Sequence, residues 1–346
     1  MSASDLPGPK SEAELEEVLS RPTPAVEQAL ARIDGDLVIL GGGGKVGPSL
    51  AAMARRALDA TGSSAKVISV SRWSDGAAAE RLRDHGVETL SADLGDPDAW
   101  ATLPDAGAVV YLLGHKFGSA QNPSLTWWLN AVVPGFCASR YRGVPTVAYS
   151  TGNVYPLRPT STGGSVEADP VDPVGTYAHS CAAREQAFVY GADQWGTPTV
   201  IYRLNYAAEL RYGVIADLAA TMAAGDPVDV TMPAVNVVWQ RDSNAWSLQA
   251  LADATSPAFI LNGTGPETLT TRWIAEQLAQ RGGWDLELTG AEADTALLSN
   301  ASLCHSRYGY PSVTPDTLIS WVADWVGSGG RLLGKPTKFQ RRDGGF

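Results

Sequence analysis

Four consecutive glycines join an apolar run to a helix-forming stretch, and this restricts what the chain can fold into. Residues 37–40 are large and apolar, as in a short buried strand, and residues 48–58 carry Ala and Leu at helical spacing. Between them, Gly41, Gly44 and Gly47 have the spacing G-x-x-G-x-x-G. Such glycines permit a tight turn, a close approach to a pyrophosphate, and close packing of the helix on the strand. The strand–turn–helix context favours a dinucleotide-binding loop over a merely flexible turn.

Short apolar runs alternate with helical stretches along residues 36–206. Such alternation is typical of a parallel sheet that helices cover on both faces. We predict strands at residues 37–40, 67–70, 87–90, 108–113, 146–150 and 199–203, and helices at residues 48–58, 77–85, 127–140 and 177–190. The predicted fold class is therefore α/β, a Rossmann-type doubly wound parallel sheet, which binds ligands at the carboxyl ends of its strands.

The alternation becomes irregular after residue 206, which predicts four regions. They are an N-terminal helical arm (1–34), the dinucleotide-binding domain (35–206), a smaller substrate lobe with elements that return to the sheet (207–326), and a basic, glycine-rich tail (327–346). Within the lobe we predict helices at 214–224, 270–281 and 317–326, and short strands near 235–238 and 258–261.

The sequence does not determine how the two ends of the chain pack. In the arm, Ser11 is a predicted N-cap with Glu14 as its capping-box partner. The arm either packs against the body or a partner subunit, or is a partly ordered extension. We expect the tail to be loose or to contact another subunit.

The net charge of −11 restricts the possible partners. Nucleic acid and anionic membranes would be repelled over most of the surface, so we expect neither as a partner. A local nest of backbone N–H groups can still bind an anionic cofactor. Three scattered cysteines without a C-x-x-C pair argue against a disulfide framework and a zinc site, so we expect no metal. The N-terminus lacks a signal-peptide pattern and no apolar stretch is long enough to span a bilayer, which predicts a cytoplasmic protein.

The end of the second predicted strand bears on the type of cofactor. An acidic residue there would bind a ribose 2′-hydroxyl, whereas this chain has Ser71-Arg72. A guanidinium beside a hydroxyl suits a phosphate, so NADP is favoured over NAD. The alternative is that Arg72 stacks on the adenine or faces solvent. Asp93-Leu94, after the third predicted strand, lies where an aspartate commonly meets the adenine amino group.

The order of motifs over roughly residues 36–326 resembles the extended short-chain dehydrogenase/reductase family, in its sugar epimerase and dehydratase branch. The motifs are the loop at 41–47, Asp93-Leu94, Asn130, the segment 150–155 (Ser-Thr-Gly-Asn-Val-Tyr), the segment 177–181 (Tyr-Ala-His-Ser-Cys) and Arg184-Glu185. Together they are far more specific than the glycine loop alone.

The resemblance implies an acid/base role for Tyr177, with Thr151 hydrogen-bonding the same substrate oxygen. It places Lys116 near the substrate as a further catalytic candidate. The implied cofactor contacts are Gly41, Gly44, Lys45, Val46, Gly47, Ser71, Arg72, Asp93, Leu94, Leu113, Gly114, Asn130, Tyr177, Cys181 and Asn205. The implied substrate contacts are Lys116, Asn153, Asn205, Tyr206, Arg211 and Arg241, the last with a structural salt bridge as the alternative.

One departure from the family concerns the lysine that is expected four residues after Tyr177. This chain has Cys181 there, and a neutral thiol neither holds a ribose nor lowers the pKa of the phenol. Three interpretations stay open: Lys116 substitutes as the cation, oxidised nicotinamide supplies enough positive charge, or catalysis is lost and the protein is a nucleotide sensor. Cys181 itself is better explained as a small packed side chain than as a nucleophile, because no histidine is clearly placed to activate it.

A second departure narrows the reaction. Dehydratases of this family carry an Asp-Glu pair directly after the threonine, whereas this chain has Gly152-Asn153. Without an ionisable group there, dehydration by that mechanism is not expected, and oxidation, reduction or epimerisation remains. The resemblance thus predicts an NAD(P)-dependent oxidoreductase or epimerase for a sugar or sugar acid, or alternatively a catalytically silent nucleotide-binding regulator. It also predicts a homodimer formed through the helices at 127–140 and 177–190.

Overall fold

The structure, a computed structural model, describes residues 7–74 and 76–345. Its strands in chain order are β1 (Leu37–Leu40), β2 (Val67–Ser71), β3 (Glu88–Ser91), β4 (Ala108–Tyr111), β5 (Thr146–Thr151), β6 (Arg158–Pro159), β7 (Thr199–Leu204), β8 (Ala207–Ala208), β9 (Val228–Asp229), β10 (Ala234–Val235), β11 (Val238–Trp239), β12 (Phe259–Gly263), β13 (Leu269–Thr270), β14 (Leu288–Thr289) and β15 (Thr295–Ala296).

The α-helices are α1 (Glu12–Leu19), α2 (Pro24–Leu30), α3 (Gly47–Ala60), α4 (Gly76–Asp84), α5 (Pro123–Trp127), α6 (Val133–Arg140), α7 (Gly175–Trp195), α8 (Val214–Ala223), α9 (Gln240–Ala250), α10 (Thr271–Gly282), α11 (Ser302–Tyr308) and α12 (Pro315–Gly327). Short 3₁₀ segments lie at Pro97–Thr102, Gly152–Val154, Thr160–Thr162 and Leu251–Asp253, and a π-helical segment lies at Trp128–Val132. Among the described helices, none has the length and apolarity needed to cross a bilayer.

Seven strands form one parallel sheet in the order β12-β7-β5-β4-β1-β2-β3. This confirms the predicted Rossmann-type doubly wound sheet, and the six strands predicted for the first domain are six of its members. The seventh, β12, is an element that returns from the lobe and pairs with β7, with Phe259 opposite Val200.

Helices cover the sheet on both faces, which explains why its central strands are apolar throughout. Every residue of β1 and of β4 is buried. Side chains of α2, α3 and α9 fill the core on one face, and side chains of α6 and α7 fill the core on the other. A third core, built around α8, α10 and α12, belongs to the lobe. The pattern of continuous apolar runs is the one expected for strands buried on both sides.

The single helix predicted at 127–140 is interrupted in the structure. It divides into α5, the π-helical segment and α6, with Pro134 in the first turn of α6. Proline has no N–H to donate to the carbonyl four residues earlier, which is that of Asn130, and this weakens the α-helical ladder at that point. A single π-helical turn is a common solution and is frequent at functional sites.

Helix α9 was not predicted, because its buried surface is largely polar. Nine of its residues are buried, including Gln240, Asp242 and Asn244. Gln240 and Asn244 both donate to the Ser49 hydroxyl, at 3.0 and 2.9 Å. A helix whose buried side is hydrogen-bonded rather than apolar lacks the hydrophobic periodicity used to find helices.

The described part of the N-terminal arm packs against the body of the same chain. Ser11 is the N-cap of α1 as predicted, and its hydroxyl accepts the N–H of Glu14, but the Glu14 carboxylate accepts the N–H of Lys10 instead of closing a capping box. Leu15 and Leu19 are fully buried in the lobe core. The alternative of a partly ordered extension is therefore wrong for these residues.

The tail is not loose over its described residues, which contradicts one of the two expectations for it. Thr337 and Phe339 are buried, and Phe339 belongs to the lobe core. The Thr337 N–H and hydroxyl both donate to the Asp217 carboxylate at 2.6 Å. The tail therefore folds back over the chain that carries it.

A buried ion pair connects the elements behind the carboxyl ends of the strands. Arg203 on β7 donates to both oxygens of Glu185 on α7, at 2.9 and 2.7 Å, and both side chains are about 5% exposed. The Ser150 hydroxyl donates to the same carboxylate at 2.5 Å. Arg203 also donates to the Tyr155 hydroxyl, which donates in turn to Asn262 on β12. Because the pair is fully hydrogen-bonded, its burial is tolerated.

Candidate active site

The glycine loop forms a cradle that only glycine can build. Gly41 has φ +84°, and a Cβ there would lie 2.6 Å from the backbone nitrogen of Leu113. A Cβ on Gly47 would collide with the carbonyl of Gly42. Gly43 and Gly44 are exposed, directly before the N-terminus of α3. Exposed backbone at a helix N-terminus fits a pyrophosphate, so the loop is suited to a dinucleotide cofactor.

A cleft of about 380 Å³ opens beside this loop, at the carboxyl ends of β4, β5 and β7. It brings together many of the predicted site residues, namely Gly41, Gly44, Lys45, Val46, Gly47, Gly114, Lys116, Thr151, Asn153, Tyr177, Asn205 and Tyr206. The glycine loop and Tyr177, the proposed acid/base residue, thus line the same cavity.

Thr151 and Tyr177 both line this cleft, and the Thr151 side chain lies close enough to Tyr177 to oppose the rise in its pKa. Thr151 ends β5, and its hydroxyl oxygen accepts the N–H of Asn153 at 3.2 Å and the Asn153 side-chain amide at 3.0 Å. Burial raises the pKa of Tyr177, and the charge of Arg184 opposes that rise. The phenol is therefore protonated and can donate a proton.

Two cations approach Tyr177 although the expected lysine is absent. The Lys116 ammonium lies 5.8 Å from the centroid of the Tyr177 ring, and burial lowers the pKa of Lys116 to about 8. Arg184, seven residues after Tyr177 on the same helix, is buried and donates to the Tyr149 carbonyl at 3.0 Å and to Asn130 at 2.8 Å. Lys116 lines the cleft, and its role as a substitute cation stays a prediction. The charge of Arg184 is a part of the site that sequence reasoning missed, although spacing of seven predicts the same helical face.

Cys181 and Asn130 do not reach the cleft, contrary to their expected cofactor contacts. Both are fully buried. Cys181 packs with Val154, Tyr155 and Tyr177, and burial raises the pKa of its thiol, which disfavours the thiolate a nucleophile needs.

Asn130 lies in the π-helical segment and acts as a brace. It accepts the backbone N–H of His115 at 2.7 Å and donates to the His115 carbonyl and to the Ser180 hydroxyl, each at 3.0 Å. It also accepts from Arg184. These bonds fix the loop after β4, which carries Lys116, to α7, which carries Tyr177.

The predicted adenosine contacts lie beyond the cleft, at the ends of β2 and β3. Arg72 is exposed, and Ser71 lies against the glycine loop, since a Cβ on Gly43 would be 2.5 Å from the Ser71 hydroxyl. Asp93 is exposed and accepts the N–H of Gly95 at 2.9 Å. The Leu94 side chain is buried in the core, so its expected cofactor contact is not supported.

Two arginines expected at the substrate lie elsewhere. Arg211 donates to Glu209 in its own turn and to Glu16 of the arm, at 2.6 Å in the latter case. Arg241 donates to the Arg21 carbonyl at 2.9 Å and lies 3.5 Å from Asp242. Arg241 therefore has the structural role that was given as its alternative. Both side chains hold the arm, and neither is among the residues that line the cleft.

A family model described as the NAD dependent epimerase/dehydratase family matches residues 37–236. The chain belongs to this family. The assignment confirms the resemblance to extended short-chain dehydrogenases/reductases, and it makes the chain an enzyme of NAD(P)-dependent epimerase/dehydratase type. No curated protein sequence matches the chain.

Solved structures of family enzymes share the fold. A UDP-glucose 4-epimerase from Thermus thermophilus in complex with NAD is 22% identical with a TM-score of 0.68, covering 84% of this chain and 98% of that one. A dTDP-glucose 4,6-dehydratase from Streptomyces venezuelae with NAD bound is 19% identical with a TM-score of 0.71, covering 85% and 97%. A UDP-glucuronic acid 4-epimerase mutant from Bacillus cereus, in complex with NAD, is 14% identical with a TM-score of 0.72, covering 85% and 99%.

Several residues that line the cleft are not among the site residues predicted from the sequence. Phe117, Tyr212 and Gln240 line the cleft, as do Lys335 and Thr337 from the tail. The two tail residues lie about 160 positions after Tyr177 in a segment without periodicity, so only the folded chain brings them to the site.

Proposed function

We propose that the protein is an NAD(P)-dependent oxidoreductase or epimerase that acts on a sugar or sugar acid, with Tyr177 exchanging the proton. The placement of Thr151 and Tyr177 carries the proposal, because both side chains line the same cleft as the glycine cradle. A nicotinamide dinucleotide, when bound, supplies or accepts the hydride. The nucleotide sugars named with the structural neighbours make nucleotide-linked sugars the first substrates to test.

The chain's own side chains supply binding, orientation and proton transfer. Thr151 lies beside Tyr177 in the cleft, and its hydroxyl oxygen is held by two hydrogen bonds from Asn153. Asn205 lines the cleft, and its buried amide nitrogen has no hydrogen-bond partner in the described part of the chain. A buried donor without an acceptor is costly, and a substrate or cofactor oxygen would satisfy it.

To act as a base, Tyr177 needs nearby positive charge, because burial raises its pKa. Lys116 and Arg184 supply two such charges from different elements. We propose that they do together what one lysine does elsewhere in the family. Gly152 and Asn153 offer no ionisable group, which supports oxidation, reduction or epimerisation rather than dehydration.

The buried Cys181 favours a second candidate, a catalytically silent nucleotide-binding regulator. Without the family's lysine, cofactor binding could persist while proton transfer is lost. Incubation with NADP or NAD and a panel of nucleotide sugars, sugars and aldonic acids separates the two functions. Tight cofactor binding without oxidation, reduction or epimerisation of any panel member supports the regulator.

Replacing Tyr177 by Phe removes the proton donor and keeps the ring. We expect kcat to fall by at least about a hundredfold, the usual contribution of a general acid/base, while cofactor affinity stays near that of the wild type. Nicotinamide absorbance and chromatography of the products measure turnover, and calorimetry measures binding. Tyr310→Phe, at an exposed tyrosine, is the matched control. Full activity of Tyr177→Phe rules out the assigned role.

Replacing Lys116 tests the substitute cation. Since the pKa of Lys116 is about 8, its charge is present below that pH and lost above it. We expect Lys116→Ala to lower kcat roughly tenfold near neutral pH, the effect of one pKa unit on a neighbouring group. Lys116→Arg should keep activity above pH 8, where the wild type declines. An unchanged pH–rate profile in Lys116→Ala contradicts the idea.

The exposed Arg72 supports a preference for NADP, because its guanidinium is free to meet a 2′-phosphate at the end of β2. Arg72→Ala should weaken NADP binding by roughly tenfold and leave NAD binding nearly unchanged, as expected for loss of one charge-assisted hydrogen bond. Titration calorimetry with both cofactors measures this. Arg83→Ala, on α4, is the control. Equal losses for NADP and NAD would show that Arg72 does not read the phosphate.

Exposed apolar side chains support a homodimer. Trp127, Trp128 and Val132 are exposed before α6, and Tyr190 is exposed on the neighbouring α7. Exposed apolar side chains on neighbouring helices commonly mark a subunit contact. Sedimentation analysis should give a dimer for the wild type and a monomer for Trp127→Glu, with Tyr310→Glu as the control. A monomeric wild type refutes the proposal.

A further inference from the structure

Residues 331–345, here called the C-terminal strap, are fixed to the body at several points. The Leu333 N–H donates to the Arg211 carbonyl, and Thr337 donates twice to Asp217. Arg342 donates to the carbonyl and hydroxyl oxygens of Thr295 at 2.5 and 2.6 Å. Gly344 packs against the backbone at Gly175, the first residue of α7. The strap therefore passes over the cleft in a defined path and ends beside the helix of Tyr177.

The strap brings a lysine to a cleft wall that already holds two. Lys335 lines the cleft together with Lys45 of the glycine loop and Lys116 of the loop after β4. Lys338, in the same strap, is close enough for its charge to act on Lys116. Lysines from three distant segments of the sequence thus surround one space, in a chain whose net charge is −11.

The Lys45 ammonium lies against two aromatic rings in this space rather than in a hydrogen bond to a carboxylate. This buried ammonium has no acceptor in the described part of the chain, and it lies 3.2 Å from the ring centroid of Tyr212 and 4.0 Å from that of Phe117. Burial, followed by the charges of Lys116 and Lys335, lowers the pKa of Lys45 to about 6. An ammonium in a water-poor, cation-rich wall is stabilised most by an anion.

The carboxylates nearest to the cluster are already engaged. Asp217 accepts both bonds from Thr337, and Glu209 accepts from Arg211. The cofactor pyrophosphate is not the obvious partner either. Backbone N–H groups of the glycine loop serve it, whereas the Lys45 side chain crosses to Phe117 and Tyr212.

We propose that Lys335 of the strap joins Lys45 and Lys116 in an anion-binding cluster that takes the carboxylate or phosphate group of the substrate. Because Lys116 also faces the ring of Tyr177, the cluster places this acidic group near the reacting carbon. The proposal rests on the proposed function for its identification of the cleft as the substrate site. It makes the strap a part of the substrate pocket.

Calorimetry on cofactor-loaded protein tests the proposal with three probes: D-glucuronate for a carboxylate, glucose 6-phosphate for a phosphate, and D-glucose as the neutral sugar. We expect at least one acid to bind more tightly than glucose. Lys335→Gln should weaken that acid roughly tenfold, the loss of one charge-assisted hydrogen bond, and leave glucose and the cofactor unchanged. Lys66→Gln, at an exposed lysine paired with Glu88, is the control and should bind like the wild type.

Three outcomes would overturn the proposal: neither acid binds more tightly than glucose, Lys335→Gln binds the acids like the wild type, or Lys335→Gln loses cofactor affinity instead. The acid that shows the loss identifies carboxylate or phosphate as the recognised group. Binding is measured without turnover, so an inactive protein that still binds acids through Lys335 refutes the proposed reaction and not the cluster. An active protein indifferent to Lys335 refutes only the cluster.

Discussion

The hydrogen-bonded ion pair of Glu185 and Arg203 is the interaction on which the geometry of the site depends. It joins α7 to β7, takes in β5 through Ser150, and reaches β12 through Tyr155. Removing either partner would leave an uncompensated buried charge, which is far costlier than losing an exposed pair. Thr151 follows Ser150 directly, and Tyr177 lies on the helix of Glu185, so the network sets their distance from each other.

The site lacks the family's lysine, and a second set of hydrogen bonds places other positive charges near Tyr177. Arg184 lies on the same helical face as Tyr177 and is held by Asn130 and the Tyr149 carbonyl, while Lys116 enters from the loop after β4. Asn130 holds both elements, because it bonds His115 as well as Arg184. The small, neutral Cys181 leaves room for this arrangement, since it packs on Tyr177 without adding a charge.

The sequence predicted what local patterns encode and missed what depends on distant contacts. The apolar run of β1 and the glycine spacing are both local signals, so the sheet and the glycine cradle were predictable. Helix α9 was not, because buried polar side chains such as Gln240 are satisfied by a partner almost two hundred residues away. The π-helical turn at Asn130 depends on Pro134 together with the bonds Asn130 makes. Arg211 looked like a substrate ligand because its partner Glu16, in the arm, is equally distant.

The position of the strap was likewise not predictable from the sequence. In the proposed cluster, its lysine also explains how an acidic protein can attract an acidic substrate. Repulsion by a net charge of −11 acts over the whole surface but is screened beyond about 8 Å in physiological salt, whereas a cleft with low-dielectric walls concentrates the field of the charges that line it. The charges of Lys116 and Lys335, which line the cleft, therefore act strongly on the space inside it, and a bound anion would restore the charge of Lys45. Lys335 lies between two anchors of the strap, the bond from Leu333 to Arg211 and the bonds from Thr337 to Asp217. In the proposed cluster, anion recognition therefore depends on the docking of the strap onto the body of the chain.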